Sequence, residues 1–476
     1  MFLDSRRDYI GWFIFVCAMV LFCFAIHRES IWYDEWYTVE VINRASIKSF
    51  FNQIVLTENN PPVYYILLRL WADVAGCFNL VYLRLFSAVM ASVGAVMIYK
   101  LVNLFNPRRT ALVAVMLYLT SPYILWYAQE ARNMAFACVI SMAIVIFFYR
   151  FSVTGSKKDL VLAAIFQLVG LYTHSFLLAF IVAQVIYLFI KGDRKLIKMW
   201  SVAVLAILAL YLFWVPFLFK QIMINKSGWL KPLSLFFPIN MMVHFSVGIF
   251  QFSHAGLVLL STFVYTSLLV VSIFSLTDRK KSLTGGNLFL TLVFFTPIVL
   301  SVLISVLIKP ILFEGRRYLV VVVPIFLVMV SIGLCSIKNR RFFVSVLLLV
   351  LMMNIFCMRN LYKNGQKRYW NKASDYLSEL SSDGDGVFSV DHTRGAILVY
   401  AGGIGKAKMV DMGDIFIERK LYPYNRVWFI TTGDPRQDET KRLMYSSFSL
   451  IGSKIFTNSV GGRIEIFLYD LIKARG

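Results

Sequence analysis

Long apolar runs separated by short polar or basic turns fill the chain as far as residue 358. A hydrocarbon core about 30 Å thick takes roughly 20 helical residues to cross. Runs near that length occur at 9–27, 82–105, 110–127, 132–150, 159–174, 176–191, 197–219, 256–276, 288–308, 318–337 and 341–358, which predicts about eleven transmembrane helices. With residues 1–8 in the cytoplasm, Arg108-Arg109, Lys157-Lys158, Lys191 to Lys195, Arg279 to Lys281 and Lys338 to Arg341 all fall in cytoplasmic loops, as the positive-inside rule requires. If the apolar stretch Pro61 to Phe78 also crossed, all of these clusters would change sides. Its Pro-Pro start, its internal Arg69 and Asp73, and Tyr64, Tyr65 and Trp71 predict instead a juxtamembrane helix lying at the interface. A first external loop then covers 28–81 and a second covers 220–255, with short external turns around 128–132, 174 and 309–317.

After the last run, charged residues, Gly and Ser return and short alternating segments replace the long ones. Asn371 to Leu380 reads as a helix, and Gly386 to Asp391, Ile397 to Ala401, Arg426 to Thr431 and Ile464 to Tyr469 read as strands between Gly/Asp turns. The expected organisation is a transmembrane domain over 1–358 and a small external α/β domain over 359–476.

Composition narrows the class. Of 476 residues, 59% are apolar and only 16% charged, with a mean hydropathy of +0.70; a soluble domain carries about a quarter charged residues, so a soluble enzyme is excluded. The net charge of +22 would suit nucleic acid, but cytoplasmic Lys and Arg that set orientation explain it without such a partner. Cys17, Cys23, Cys77, Cys138, Cys335 and Cys357 lie in or beside apolar runs with neither metal spacing nor a disulfide-like cluster, and read as packing residues. No small-residue cleavage site follows the first run, which reads as an anchor rather than a signal peptide.

Candidate chemistry gathers in the external turns. Ile31-Trp32-Tyr33-Asp34-Glu35-Trp36-Tyr37-Thr38 sets two adjacent acids among aromatics just beyond the first span. Such carboxylates can accept a hydroxyl proton or ligate a divalent cation; they also suit an aromatic interfacial belt with two solvated acids. Glu130 and Arg132, in Tyr127-Ala128-Gln129-Glu130-Ala131-Arg132-Asn133, sit where a helix emerges on the same side, as functional groups or snorkelling end residues. Asn59-Asn60-Pro61-Pro62-Val63-Tyr64-Tyr65 starts the juxtamembrane helix. Arg316 and Arg317 lie in a further external turn, where a guanidinium can grip phosphate through two bonds or anchor at the interface. His174, His244 and His254 fall near external ends without paired metal spacing. One of them, His174, could join Asp34 and Glu130 around a divalent metal ion. Lys226, Trp229 and Lys231 lie in the 220–255 loop, which could cover a site or hold an acceptor.

The order Trp-Tyr-Asp-Glu, Asn-Pro-Pro-Val-Tyr-Tyr, Leu83-Arg84-Leu85-Phe86-Ser87 and Tyr-Ala-Gln-Glu-Ala-Arg, followed by Arg316-Arg317-Tyr318 with Pro324 and by Tyr369-Trp370-Asn371-Lys372-Ala373, resembles one family. It is similar to the glycosyltransferase 39, or dolichyl-phosphate-mannose-protein mannosyltransferase-like, group of GT-C integral membrane enzymes, whose relatives include lipid A aminoarabinose transferase and O-antigen-modifying glucosyltransferases. The resemblance implies a polytopic α-helical GT-C fold. It implies a polyprenyl-phosphate sugar donor and an acceptor on the non-cytoplasmic face; the expected acceptor is a glycan or glycolipid such as O-antigen or lipopolysaccharide, and a bacterial inner membrane is the expected location because the sequence shows neither the large soluble insert of the protein mannosyltransferases nor a lumenal retention signal.

In that resemblance Asp34 matches the catalytic base, with Glu35 after it. Glu130 matches the second-loop acid, a metal ligand or acceptor-orienting group, and Arg132 stands beside it. Asn60, Tyr64, Lys231, Arg316, Arg317 and Tyr318 join Arg132 as substrate-binding candidates. Where relatives often carry His or Lys before Pro-Pro, this chain has Asn60, so positive charge for the donor phosphate must come from a metal or an arginine. A single displacement would invert the anomeric carbon. The competing readings are a flippase for lipid-linked saccharides, which would show repeated halves and mid-membrane ionisable sites, and an O-antigen polymerase or ligase using a diphosphate donor.

Overall fold

The fold comes from a computed structural model that describes residues 5–58, 60–224, 233–248, 255–277, 285–307 and 318–364, and in the tail 367, 369–389, 396, 399–400, 407–409, 424, 426–432, 449–457 and 463–470. Two compact units emerge. A membrane unit comprises Met1–Ile26 and Glu40–Asn360, and a tail unit comprises His27–Val39 and Leu361–Gly476.

The membrane unit is helical. It begins with α1 (Ser5–Cys23), the end of α2 (Tyr33–Ile42), α3 (Ile47–Thr57), α4 (Val63–Ala75), α5 (Leu80–Asn103), α6 (Arg108–Thr120), α7 (Pro122–Ala128), α8 (Met134–Thr154) and α9 (Lys157–Leu171). A 3₁₀ turn, Ser175–Leu177, precedes α10 (Leu178–Lys191), α11 (Arg194–Tyr211), α12 (Val215–Ile224), α13 (Phe237–Val247), α14 (Ala255–Thr277) and α15 (Gly285–Leu307). A second 3₁₀ turn, Tyr318–Val322, leads into α16 (Val323–Cys335) and α17 (Arg340–Asn364).

Among the described residues six helices are long and apolar enough to cross a bilayer, or up to eight if each of two bent pairs counts as one span. The expected eleven is not reached, for local reasons. α9 and α10 are only 15 and 14 residues long. α6 stops at Ser121, where Pro122 starts α7 at a bend of 61°, and α11 meets α12 at 57° beside Pro216; proline withholds the N–H that would continue the ladder. At 13 residues α4 spans about 20 Å, too short to cross. Its Arg69, ion-paired with Asp73 at 2.9 Å, donates to the carbonyls of Ile42 and Arg44, tying α4 to the end of α2.

α8, buried along most of its 21 residues, is the axis of this unit, and at 1.5 Å per residue it is about 30 Å long. The basic turns collect at its C-terminal end. Arg150 pairs with Asp159 at 3.1 Å, the Lys191 ammonium donates to the Ser152 carbonyl, Phe105 packs on Tyr149 at 4.4 Å, and Arg109 lies 4.0 Å over the Phe343 ring. Two reversals there share one device. Gly155 and Gly192 end α8 and α10 in the left-handed region, at φ 65° and 73°, where a side chain would be strained, and Ser156 and Asp193 cap the next helices at once. Gly333 of α16 lies against the backbone of α14: a Cβ there would collide with the Leu268 carbonyl, so this approach requires glycine.

In the tail unit α18 (Trp370–Leu380) precedes strands β1 (Gly386–Ser389), β2 (Lys408–Met409), β3 (Arg426–Thr431), β4 (Ser449–Thr457) and β5 (Arg463–Asp470), in the order β2-β1-β3-β5-β4. β1 runs parallel to β2 and β3, whereas β5 is antiparallel to β3 and β4. Phe388, Phe429 and Phe467 stack in register on one face; on the other, Tyr376 of α18 packs against Trp428 and Phe456. The expected strand at Ile397 to Ala401 is not found: its described residues, Val399 and Tyr400, form a turn. β4, with a bulge between Leu450 and Gly452, was not expected, because its apolar residues do not alternate cleanly.

Candidate active site

The site candidates divide between the two units. In the tail unit Asp34 and Glu35 occupy the first turn of α2, where carboxylates favour helix initiation by facing the positive end of its dipole. Neighbours on the chain, they have different surroundings. Glu35 is fully buried; its Oε2 accepts the Trp32 backbone N–H at 3.0 Å and the Lys367 ammonium at 2.8 Å. Asp34 is half-buried. The segment before it is held by residues far along the chain. The Tyr400 hydroxyl accepts the Ile31 N–H at 2.9 Å, the Asn371 N–H donates to Ser30, and the Lys367 N–H donates to Glu29. Tyr33 and Tyr37 share a hydroxyl hydrogen bond on the exposed side of α2.

In the membrane unit three turns meet at the N-terminal end of α8, the end opposite the basic loops. The first is the α3–α4 turn. Glu58, which closes α3, is buried and ion-pairs with Arg132 at 2.6 Å. Gln221 of α12 holds the same turn, donating to the carbonyls of Glu58 at 2.8 Å and Ile54 at 3.3 Å. Tyr65 lies fully buried beside them; burial, and then the Glu58 charge, push its phenol well above the ordinary tyrosine range. Asn60 is half-buried, and Tyr64 is buried against Tyr65 and Phe86.

The second turn joins α7 to α8. Glu130 and Arg132 are both buried, and the Arg132 N–H closes the turn on the Glu130 carbonyl at 2.8 Å. Gln129 donates to the carbonyls of Phe22 and Phe24, fastening the end of α1. The third turn, between α9 and α10, is pinned to both others: the Val63 N–H donates to Tyr172 O at 3.0 Å, and Asn133 Nδ2 donates to Thr173 O at 2.9 Å. His174 follows, 1% exposed, with neither ring nitrogen hydrogen-bonded among the described residues; Asn133 Oδ1 is likewise without a partner. Buried polar atoms in this condition are few in folded proteins, and each calls for an explanation. Phe176 packs on His174 at 5.5 Å and stacks on the half-buried Tyr318 at 5.4 Å.

The membrane unit thus brings together Glu130, Arg132, His174 and Tyr318 with the Asn60-Tyr64 turn, while Asp34 and Glu35 fold with the tail. Lys231, Arg316 and Arg317, with Lys226, Trp229 and His254, lie outside the described residues. His244 Nδ1 meets the Gly248 carbonyl at 3.2 Å, closing its own helix. Arg84, buried in α5, donates to Ile26 O at 3.1 Å. Glu58, Gln221, Lys367 and Tyr400 were not singled out from the sequence, and Tyr65 stood there only as an interfacial aromatic. Only Glu58 and Tyr65 carried a local signal, standing at either end of the Asn-Pro-Pro motif; the partner of Lys367 is 332 residues away. Among the described residues no three His, Cys, Asp or Glu side chains are grouped to hold a metal ion; of the expected ligands, Glu130 and His174 belong to the membrane unit and Asp34 to the tail unit.

The fold is that of the GT-C glycosyltransferases, as the motifs' resemblance implied. Over 97% of this chain and 98% of the other, it is similar to ArnT from Cupriavidus metallidurans in the apo state, with a TM-score of 0.62 at 12% identity. The undecaprenyl phosphate-bound form of that protein gives 0.58 at 12% identity over 96% and 98%. The archaeal oligosaccharyltransferase AglB from Archaeoglobus fulgidus, in complex with an inhibitory peptide and a dolichol-phosphate, gives 0.54 at 12% identity over 97% of this chain and 74% of its own; another structure of that protein contains zinc and sulfate. By sequence, residues 59–219 match the dolichyl-phosphate-mannose-protein mannosyltransferase family. No curated protein matches the chain.

Proposed function

We propose that this multi-pass membrane protein is a glycosyltransferase that moves one sugar from a polyprenyl-phosphate donor, such as an undecaprenyl-phosphate hexose, to a glycan or glycolipid outside the cytoplasm. The observation that carries the proposal is the near full-length fold similarity to a protein whose structure holds undecaprenyl phosphate. The acid-bearing turns at the end of α8 remote from the basic loops support it. A bacterial inner membrane and an O-antigen or lipopolysaccharide acceptor are the setting this reading favours.

The donor carries its own leaving group, so the protein's tasks are to orient a hydroxyl, take its proton and stabilise the departing phosphate. Asp34 is the proposed base. As the acceptor oxygen bonds to the anomeric carbon its proton passes to Asp34, the bond from that carbon to the phosphate oxygen breaks, and the electron pair leaves on polyprenyl phosphate. One such displacement inverts the anomeric centre. Glu35, buried against Lys367, supports Asp34 rather than sharing its work. Glu130 orients the acceptor, and His174 and Asn133 offer hydrogen bonds to sugar hydroxyls. Arg132 is already neutralised by Glu58, which leaves Arg316 and Arg317, with Lys231, as the donor-phosphate cations; Asn60, Tyr64 and Tyr318 line the approach.

The test is transfer from synthetic polyprenyl-phosphate sugars by the purified chain, with Asp34→Asn, Glu130→Gln and a chelator arm. Loss of turnover in folded Asp34→Asn is expected. Full activity in that variant would remove Asp34 from the chemistry, and a product anomer matching the donor would rule out single displacement.

A further inference from the structure

The segment that carries the proposed base belongs to the tail unit, not to the membrane unit that continues α1 and α2 on either side of it. What holds it there is a charged pair with almost no contact with water: the Lys367 side chain is 3% exposed and the Glu35 side chain 0%, with 2.8 Å between ammonium and carboxylate. Neither charge tolerates that burial alone, so the two positions fix each other. The same carboxylate oxygen also takes the Trp32 N–H. Lys367 contributes a second tie through its own N–H, donated to Glu29, while Tyr400 receives the Ile31 N–H and offers its carbonyl to Ser374 of α18. Apart from the Ser374–Tyr400 bond, which fastens Tyr400 to α18, the bonds in this set converge on residues 29–35.

Successive side chains on a helix point about 100° apart. Turning Glu35 inward onto Lys367 therefore sets the direction of Asp34, which is left half-exposed at the edge of the same turn. We propose that Lys367, assisted by Tyr400, is a positioning residue: the tail domain clamps the first turn of α2 through the buried Lys367–Glu35 pair and so aims Asp34 at the reacting hydroxyl. This gives Lys367 and Tyr400 a part in glycosyl transfer that acts through Asp34 rather than through their own contact with substrate. It rests on the reading of Asp34 as the base.

The experiment uses the full chain in lipid nanodiscs, with a polyprenyl-phosphate sugar as donor and hydrogen–deuterium exchange of the peptide covering residues 27–39. In Lys367→Met the unpaired Glu35 carboxylate must reach water or take up a proton, and either loosens the turn. A misplacement on the scale of 1 Å lowers kcat about a hundredfold, with donor KM little changed and exchange of 27–39 accelerated. The double variant Glu35→Gln/Lys367→Met removes both charges and keeps an acceptor for the Trp32 N–H, so it should regain slow exchange and turnover to within about tenfold of the parent. Parental turnover in Lys367→Met while Asp34→Asn is inactive, or a double variant no better than the single, overturns the proposal. If Asp34→Asn itself turns over normally, the base assignment has failed instead; exchange then decides the clamp alone, and unchanged exchange in Lys367→Met refutes it.

Discussion

The Glu58–Arg132 pair offers the sharpest quantitative expectation. Arg132→Met would remove a cation whose nitrogen lies 2.6 Å from a carboxylate oxygen, leaving a Glu58 side chain only 2% exposed with the buried Tyr65 phenol beside it. With charge centres about 4 Å apart and an effective dielectric near 20, the attraction is on the order of 4 kcal/mol. That lies inside the roughly 3–5 kcal/mol that breaking a buried pair from one side costs. Unfolding entropy near 2.1 cal/mol/K per residue, over the roughly 350 residues of the membrane unit, turns this into a midpoint lowered by about 5 °C. Glu58→Gln/Arg132→Met leaves no stranded charge and should recover most of the loss, because a neutral pair of similar volume does not have to be desolvated as ions. Thermal denaturation of the purified chain, run as a double-mutant cycle over the parent, both single variants and the double, measures the coupling. An Arg132→Met midpoint within about 1 °C of the parent, or strictly additive single effects, would refute the reasoning.

Two further expectations concern other groups. His174→Leu removes two ring nitrogens that are buried without hydrogen bonds among the described residues, a condition that costs about 1–3 kcal/mol, so the melting midpoint should rise while turnover with a polyprenyl-phosphate sugar falls at least about tenfold. Unchanged turnover would take His174 out of the site. In the tail, burial alone would raise the carboxyl of Asp385, but hydrogen bonds from Arg426, the Ser382 N–H and the Trp428 indole outweigh it and hold the group below the usual carboxylate range. A depressed folded value contributes stability that is present above the unfolded value, near about 3.9, and lost as pH falls through the folded one. The midpoint gap between the parent and Asp385→Asn should therefore be constant at neutral pH and shrink below about pH 4. A gap that stays constant to about pH 2.5 would contradict this assignment.

Much of this molecule could be read along the chain because a bilayer imposes a local rule. Each long apolar run must satisfy its own backbone hydrogen bonds as a helix, and each basic turn must stay on one side. Hence α5, α8 and α14 to α17 follow the apolar pattern, the apolar stretch that becomes α4 reads as non-crossing because a crossing there would move every basic turn to the other side, and the basic turns around α8 to α11 lie together. The count of eleven spans is not confirmed by length and composition among the described residues, and it is least legible where helices bend or stop short. The apolar run over 110–127 continues through Pro122, yet the helix bends there, and α9 and α10 stop short because their ends are tied to neighbouring turns. In the tail, β3 and β5 showed as apolar runs, whereas β4 did not, since an edge strand with a bulge needs no regular alternation.

For the candidate site, the sequence by itself marked the turns to which chemistry is assigned in the proposal: acids beside aromatics, the Asn-Pro-Pro turn and the Glu130–Arg132 turn stand out because ionisable groups near a membrane are costly to keep. Tertiary structure alone decided which partner and how much burial each group has there. Glu58 meets Arg132 across 74 residues, and Lys367 meets Glu35 across 332; only folding brings such partners together. Nothing local distinguishes Asp34 from Glu35, two adjacent acids, yet one is sealed against an ammonium and the other left half-open. The physical reason is that a carboxylate's role depends on its burial and its counter-charge, and both are properties of the folded surroundings rather than of the residue.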